Sequence, residues 1–94
     1  MTVRFEWDDE KALRNLRKHG VSFEEAQTVF DDPLARVDPD PAHSSSESRA
    51  IIIGYSDRGR LLLVSFVERD DALRIINSRA ADVRERKRHE EENI

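Results

Sequence analysis

RAIIIGYSDRGRLLLVSFVERDDALRIINSR, residues 49–79, carries three apolar stretches, at 51–53, 61–64 and 73–76, separated by two polar turns. Each stretch is short and rich in isoleucine, leucine or valine. That pattern predicts strands at about 49–56, 60–68 and 72–79. Ser56-Asp57-Arg58-Gly59 is a hairpin signal, with Gly59 available for positive φ, and Glu68-Arg69-Asp70-Asp71 is a second turn. Connections this short force antiparallel neighbours, so the segment predicts a meander.

Upstream, Val3-Arg4-Phe5-Glu6-Trp7 alternates apolar and polar residues as a short half-buried strand does. Asp8 stands at an N-cap position ahead of Asp9 and Glu10, with Trp7 and Ala12 placed as a hydrophobic staple. Ala12, Leu13 and Leu16 are the expected buried stripe. Arg17, Lys18 and His19 put cations in the last turn, and Gly20 follows in the left-handed position. Ser22-Phe23-Glu24-Glu25 reads as a capping box for a second helix, faced by Ala26, Val29 and Phe30 and stopped by Asp31-Asp32-Pro33. Helices are thus expected at about 8–18 and 22–31, as a tight hairpin. Leu34–Val37 is a candidate edge strand, and 38–46 an irregular polar loop.

Downstream, Ser78 is the expected cap of a last helix over 80–90, with Asp82 in its first turns. That helix is polar almost all round, so only Ala80, Val83 and the stem of Lys87 are expected to face a core. The order describes one α+β domain over 1–94: an N-terminal helical hairpin packed on one face of an antiparallel β-sheet, with a C-terminal helix.

Of the 94 residues 38% are charged, well above the roughly 25% of an average globular protein, and the net charge is −4. Residues 1–57 hold 7 Lys/Arg against 12 Asp/Glu, whereas 58–89 hold 9 against 5. A generic nucleic-acid binder would be basic overall; here a basic face, if present, belongs to the second half. There is no cysteine, which removes disulfides and thiolate zinc sites. No leader pattern and no apolar run of membrane-spanning length is visible, so a soluble, cytoplasmic protein is expected.

Several strings resemble the BrnT toxins of bacterial type II toxin–antitoxin systems. They begin with Phe5-Glu6-Trp7-Asp8, Lys11, Asn15 and the long run from Lys18 to Ala26, then Val29-Phe30 and Asp32-Pro33. They continue in His43-Ser44, Glu47, Arg49, Ile53-Gly54, Ser56, Gly59-Arg60-Leu61-Leu62, Arg69, Arg74-Ile75-Ile76 and Arg79, and end in Arg84-Glu85-Arg86 and Glu90-Glu91. The resemblance covers about residues 3–91. It implies a RelE-like fold and a ribonuclease that inhibits translation. It also implies neutralisation by a BrnA-like antitoxin with a ribbon-helix-helix domain, with promoter DNA bound only through the complex. The chain departs from the family at Asn77-Ser78, where Ser-Ala is common, and at His89, where an aromatic residue is usual.

RNA cleavage without a metal needs a proton taken from a 2′-hydroxyl, a proton given to the 5′-oxygen, and charge stabilised on the phosphoryl oxygens. Histidine suits the proton steps and arginine the phosphate. On that basis His19, Glu47, Arg74 and Arg79 are candidate catalytic residues, and Lys18, His43, Arg49, Arg69, Arg86 and His89 candidate RNA contacts. Each has a plainer reading: dipole compensation for Lys18 and His19, solvation for His43, Glu47 and Arg49, and a solvent-facing side chain for Arg74. Arg74 interrupts Leu73-Ile75-Ile76 and so lies opposite Leu73 and Ile75, on a possible cationic floor that Arg79 and Arg86 could edge. Trp7 and Tyr55 read as core residues. No HExxH, P-loop or GxGxxG is present, and neither metal nor cofactor is expected. The alternative reading is a non-catalytic protein-interaction or DNA-binding co-repressor assembled with an antitoxin.

Overall fold

A computed structural model describes residues 3–40 and 49–93. Elements follow in the order β1 (Arg4–Glu6), α1 (Asp9–His19), α2 (Phe23–Thr28) with a 3₁₀ turn at Val29–Asp31, β2 (Arg36–Pro39), β3 (Arg49–Tyr55), β4 (Leu61–Arg69), β5 (Ala72–Ala80) and α3 (Val83–Glu92). One five-stranded sheet has the order β1-β5-β4-β3-β2. The meander appears where its apolar stretches place it. The sheet is not wholly antiparallel, however: β1 pairs in parallel with β5, Arg4 opposite Ala72 and Glu6 opposite Arg74. Between β1 at one edge and β2 at the other, the chain crosses the sheet through the helical hairpin.

Alternation along the strands divides the sheet into two faces. Ile52, Leu62, Val64, Phe66 and Ile75 face the hairpin and meet Val21, Phe23, Ala26 and Val29 in the core. Phe30 stands edge-on to both Phe5 and Phe66, at 5.1 Å in each pair, and Trp7 stands edge-on to Phe23 at 5.9 Å. Gly54 is required where β3 passes the 3₁₀ turn, because a Cβ there would lie 2.8 Å from that of Ala35. Asp32 fastens the same crossing: one carboxylate oxygen accepts from Tyr55 N (2.8 Å), the other from Leu34 N (3.0 Å).

Asp8 caps α1 by accepting from Lys11 N, and Gly20 closes it at φ +70°, both as the sequence indicates. The buried stripe of α1 differs from expectation. Leu13 and Leu16 are 55% and 46% exposed, while Asn15 is buried at 6%. The reason is that β1 covers only the first residues of β5, so α1 lies against an otherwise open strand edge. That edge needs hydrogen bonds more than apolar cover. Asn15 supplies them: its Oδ1 accepts from Ser78 N (3.0 Å), and its Nδ2 donates to Ser78 O (2.8 Å) and Val21 O (2.9 Å). One amide side chain takes the place of a missing strand.

Ser22 accepts from Glu25 N at 3.0 Å, but Glu25 does not complete the expected capping box. Its carboxylate, on a residue 4% exposed, instead accepts from Ser56 Oγ (2.7 Å) and from the Arg60 guanidinium, joining α2 to the β3–β4 hairpin. Hydrogen bonding from Arg60, against the cost of burial, holds the Glu25 carboxyl below the usual carboxylate range.

The C-terminal helix also corrects the expectation. Ser78 is a buried residue of β5, and α3 is capped by Asp82 in a complete capping box with Glu85. Val83 is 83% exposed. Glu85, His89 and Glu92 form the inward stripe, and α3 packs on the face opposite the hairpin, beside Ile51, Ile53, Leu63 and Tyr55. The two faces of the sheet therefore carry helices at different places.

Two outcomes follow. Replacing Asn15 with Leu orphans Ser78 N–H, Ser78 C=O and Val21 C=O, and urea unfolding should show a loss of at least about 3 kcal/mol at 1–3 kcal/mol per orphaned group; a loss below about 1 kcal/mol would contradict the edge role. Because the Glu25 carboxyl titrates lower in the folded chain than unfolded, its contribution is present above the unfolded value of about 4.3 and lost as pH falls through the folded one. Glu25→Gln should therefore cost about 1–2 kcal/mol at pH 7, discounted for the exposure of Arg60, and should flatten the acid limb of stability against pH. An unchanged acid limb would contradict it.

Candidate active site

Arg74 and Arg79 are five positions apart, so a regular strand would put them on opposite faces. A bulge in β5 prevents this. Phe66 pairs with Ile75 but Ser65 with Asn77, so Ile76 is the extra residue. Beyond it the parity changes, and Arg74, Asn77 and Arg79 all lie on the face turned away from the hairpin. Three cross-strand rows result on that face: Glu6-Arg74-Val67-Arg49, then Asn77-Ser65-Ile51-Asp38, then Arg79-Leu63-Ile53-Arg36.

At the open edge of β5 the last turns of α1 form one wall of a cleft of about 500 Å³, lined by Lys11, Arg14, Asn15, Lys18, His19, Ile76, Asn77 and Arg79. Lys18, His19 and Arg79, all singled out from sequence, meet here. Lys11 and Arg14 join them and were not singled out. Their signal was legible, since Lys11, Arg14, Asn15 and Lys18 recur at i, i+3, i+4 and i+7, one face of a helix. Lys18 and His19 are exposed, and no carboxylate lines the cleft among the described residues.

Arg79 belongs to both the cleft and the sheet face. Its NH1 and NH2 donate to the two oxygens of Glu85 at 2.8 and 2.9 Å, a bidentate pair that ties β5 to the first turn of α3. Hydrogen bonding from Arg79 holds the Glu85 carboxyl below its ordinary range, and Glu85 in turn raises the already high pKa of Arg79. The pair leaves Arg79 Nε–H and one NH2 proton without a described acceptor, on a side chain 43% exposed. An anion can approach that second edge.

The remaining candidates are dispersed. Arg74 is half-buried beside Glu6, with 3.7 Å between NH1 and Oε1, and does not line the cleft. Arg49 starts β3 in the same row as Arg74, and Arg69 is exposed at the end of β4. Arg86 is exposed on α3, off its inward stripe. His43 and Glu47 lie outside the described residues. His89 is not an exposed RNA contact: it is 3% exposed and packs edge-on to Tyr55 at 5.9 Å, anchoring a helix that has almost no apolar residue to bury. Among the described residues no group of three His, Asp or Glu side chains is arranged to hold a metal ion. Nor, among the described residues, is any helix long and apolar enough to cross a membrane.

The arrangement joins a surface of fixed positive charge to one accessible imidazole at its rim, the side-chain set needed to bind a phosphodiester and move a proton beside it. Comparisons with known proteins identify the family. A family model described as the ribonuclease toxin BrnT of type II toxin–antitoxin systems matches residues 7–85. The 1.1 Å crystal structure of the Brucella abortus ribonuclease toxin BrnT superposes with a TM-score of 0.68 at 27% identity, covering 86% of this chain and 99% of that one. No curated protein matches the chain. With most of its length inside the family model and its fold shared with a solved member, the chain belongs to the BrnT family of ribonuclease toxins of type II toxin–antitoxin systems.

Proposed function

We propose that the chain is a metal-independent endoribonuclease that cuts single-stranded RNA in the cleft between α1 and the β5 edge. The observation that carries this is the convergence of Lys18, His19 and Arg79 on one cleft that no carboxylate lines among the described residues. In the reaction the 2′-oxygen loses its proton and attacks the adjacent phosphorus. The bond to the 5′-oxygen breaks, and that oxygen takes up a proton, leaving a 2′,3′-cyclic phosphate and a 5′-hydroxyl. His19 serves one proton transfer and Glu47, in the segment beyond the described residues, the other. Arg79 stabilises the phosphoryl oxygens through its free edge while Glu85 fixes its plane. Lys11, Arg14 and Lys18 hold the neighbouring phosphates. Arg74, Arg49 and Arg69 extend a track for the strand across the sheet, with Arg86 at its margin, and His43 is a further RNA contact.

In the cell this activity would inhibit translation from the cytoplasm, on the RelE-like scaffold that the resemblance implies. The antitoxin partner is BrnA-like, with a ribbon-helix-helix domain, and promoter DNA is contacted only through the complex. Its simplest mode of inhibition is to cover the α1–β5 cleft.

Purified chain should cut single-stranded RNA in EDTA and leave 2′,3′-cyclic ends, with a bell-shaped pH profile. His19→Ala and Arg79→Ala should each lower the cleavage rate by about 100-fold or more while leaving thermal unfolding cooperative. Activity abolished by EDTA and restored by magnesium would overturn the mechanism. Full activity in both variants would remove the cleft from it.

RNA affinity should fall as salt rises, by about 0.7 log unit per log unit of salt for each phosphate held on a single strand, giving a slope of about −2 to −3 for three or four contacts. A slope near zero in a fluorescence-anisotropy titration would contradict the cationic track.

A further inference from the structure

Helix α3 buries one residue, His89, and turns Val83 to solvent. It sits over the sheet face built by Ile51, Ile53 and Leu63, and a hollow of about 220 Å³ remains between that face and its inward side chains Glu85, His89 and Glu92. A helix of 10 residues without a packed apolar face is marginal in water. Hydrocarbon contact therefore does little to hold α3 in place. Among the described residues two ion pairs tie it to the sheet. Glu85 takes NH1 and NH2 of Arg79 at 2.8 and 2.9 Å, and Glu92 Oε2 lies 3.0 Å from Arg36 NH1.

The two arginines are the ends of one cross-strand row. Arg79 stands on β5 and Arg36 on the edge strand β2, with Leu63 and Ile53 between them. Three strand spacings put them about 15 Å apart. Glu85 and Glu92 are separated by two helical turns, about 10 Å, and side-chain reach covers the difference. The helix is thus a strap across β5, β4, β3 and β2, pinned at both ends. The pin on β5 is the one that touches the cleft. Glu85 Oε1 accepts from Asp82 N at 2.9 Å as well as from Arg79, so the carboxylate is fixed in direction to the first turn of α3. The plane it offers to Arg79 turns with the helix. Without the pin on β2, α3 pivots on residues 81–82, which join it to β5. Arg79 then loses its bidentate alignment, and a misplaced guanidinium stabilises the phosphoryl oxygens less.

We infer that Arg36 and Glu92, at the far edge of the sheet from the cleft, are a positioning pair for RNA cleavage, acting through α3 and Glu85 on Arg79. The inference rests on the ribonuclease reading above and adds to it residues that touch no substrate. The test is Glu92→Arg in the full chain. It sets like charges against Arg36, while a cation in the last turn suits the helix dipole, so the helix itself is not weakened. It also makes the protein more cationic, so a direct effect on RNA would favour binding. On a short single-stranded RNA, kcat should nevertheless fall about fivefold, with KM unchanged or lower. Amide exchange over residues 85–92 should quicken by a similar factor. Adding Arg36→Glu restores the pair with its charges exchanged, and should return both readouts to within about twofold of the starting chain. In an Arg79→Ala background Glu92→Arg should slow cleavage no further. An unchanged kcat in Glu92→Arg, a loss that Arg36→Glu does not recover, or an equal loss in the Arg79→Ala background would overturn the positioning role and leave the ribonuclease reading intact. A starting chain that cuts no RNA would overturn both.

Discussion

The placement of α1 depends on a single amide side chain. On the side away from β4, strand β5 has a strand partner only along its first residues, and the rest of that edge would otherwise be open to water or to another chain. Asn15 occupies both hydrogen-bonding groups of Ser78 and, through Val21 O, also fixes the turn into α2. Because the contact is buried and directional, it sets the height and rotation of α1 against the sheet. That in turn decides which residues of α1 line the cleft. Lys11, Arg14 and Lys18 do so because they share a helical face with Asn15.

A second constraint is the bulge at Ile76, which selects the face on which Arg79 emerges. Were Ile76 instead paired as a regular residue of the β5 ladder, Arg79 would turn to the core side, where a guanidinium has no partner and no water. With the bulge, Arg79 reaches both the α1–β5 cleft and Glu85, and so connects the N-terminal helix, the sheet and α3. The charge asymmetry of the sequence thus becomes local geometry: a net-acidic chain concentrates cations along one strand edge and keeps most carboxylates elsewhere or paired.

Much of this is legible in the sequence. The strands of the meander, both N-terminal helices, the Asp8 and Gly20 caps and the short β2 fall where apolar spacing and turn chemistry place them. Other features were not, each for a physical reason. The parallel pairing of β1 is a tertiary choice between sheet edges that a three-residue strand does not encode. The bulge sits inside the unbroken run Leu73–Ile76, where nothing in composition marks the extra residue. Leu13 and Leu16 read as core because apolar periodicity normally means burial, and the edge's need for an amide overrode it. The inner face of α3 was missed because it is held by Glu85, Glu92 and a buried His89 rather than by hydrocarbon. Of the site, the residues Lys18, His19 and Arg79 were legible and do converge. Arg74 was read on the correct face but lies outside the cleft.

The account stands on the claim that RNA phosphates lie in the cleft between α1 and β5. The most direct measurement is the NMR spectrum of the full chain titrated with a 2′-O-methyl oligoribonucleotide. The His19 ring resonances, the Asn15 and Asn77 side-chain amides and the Arg79 Nε–H should shift and saturate together along one binding curve. A saturating titration that leaves those four groups unmoved, whatever shifts elsewhere on the protein, would contradict it.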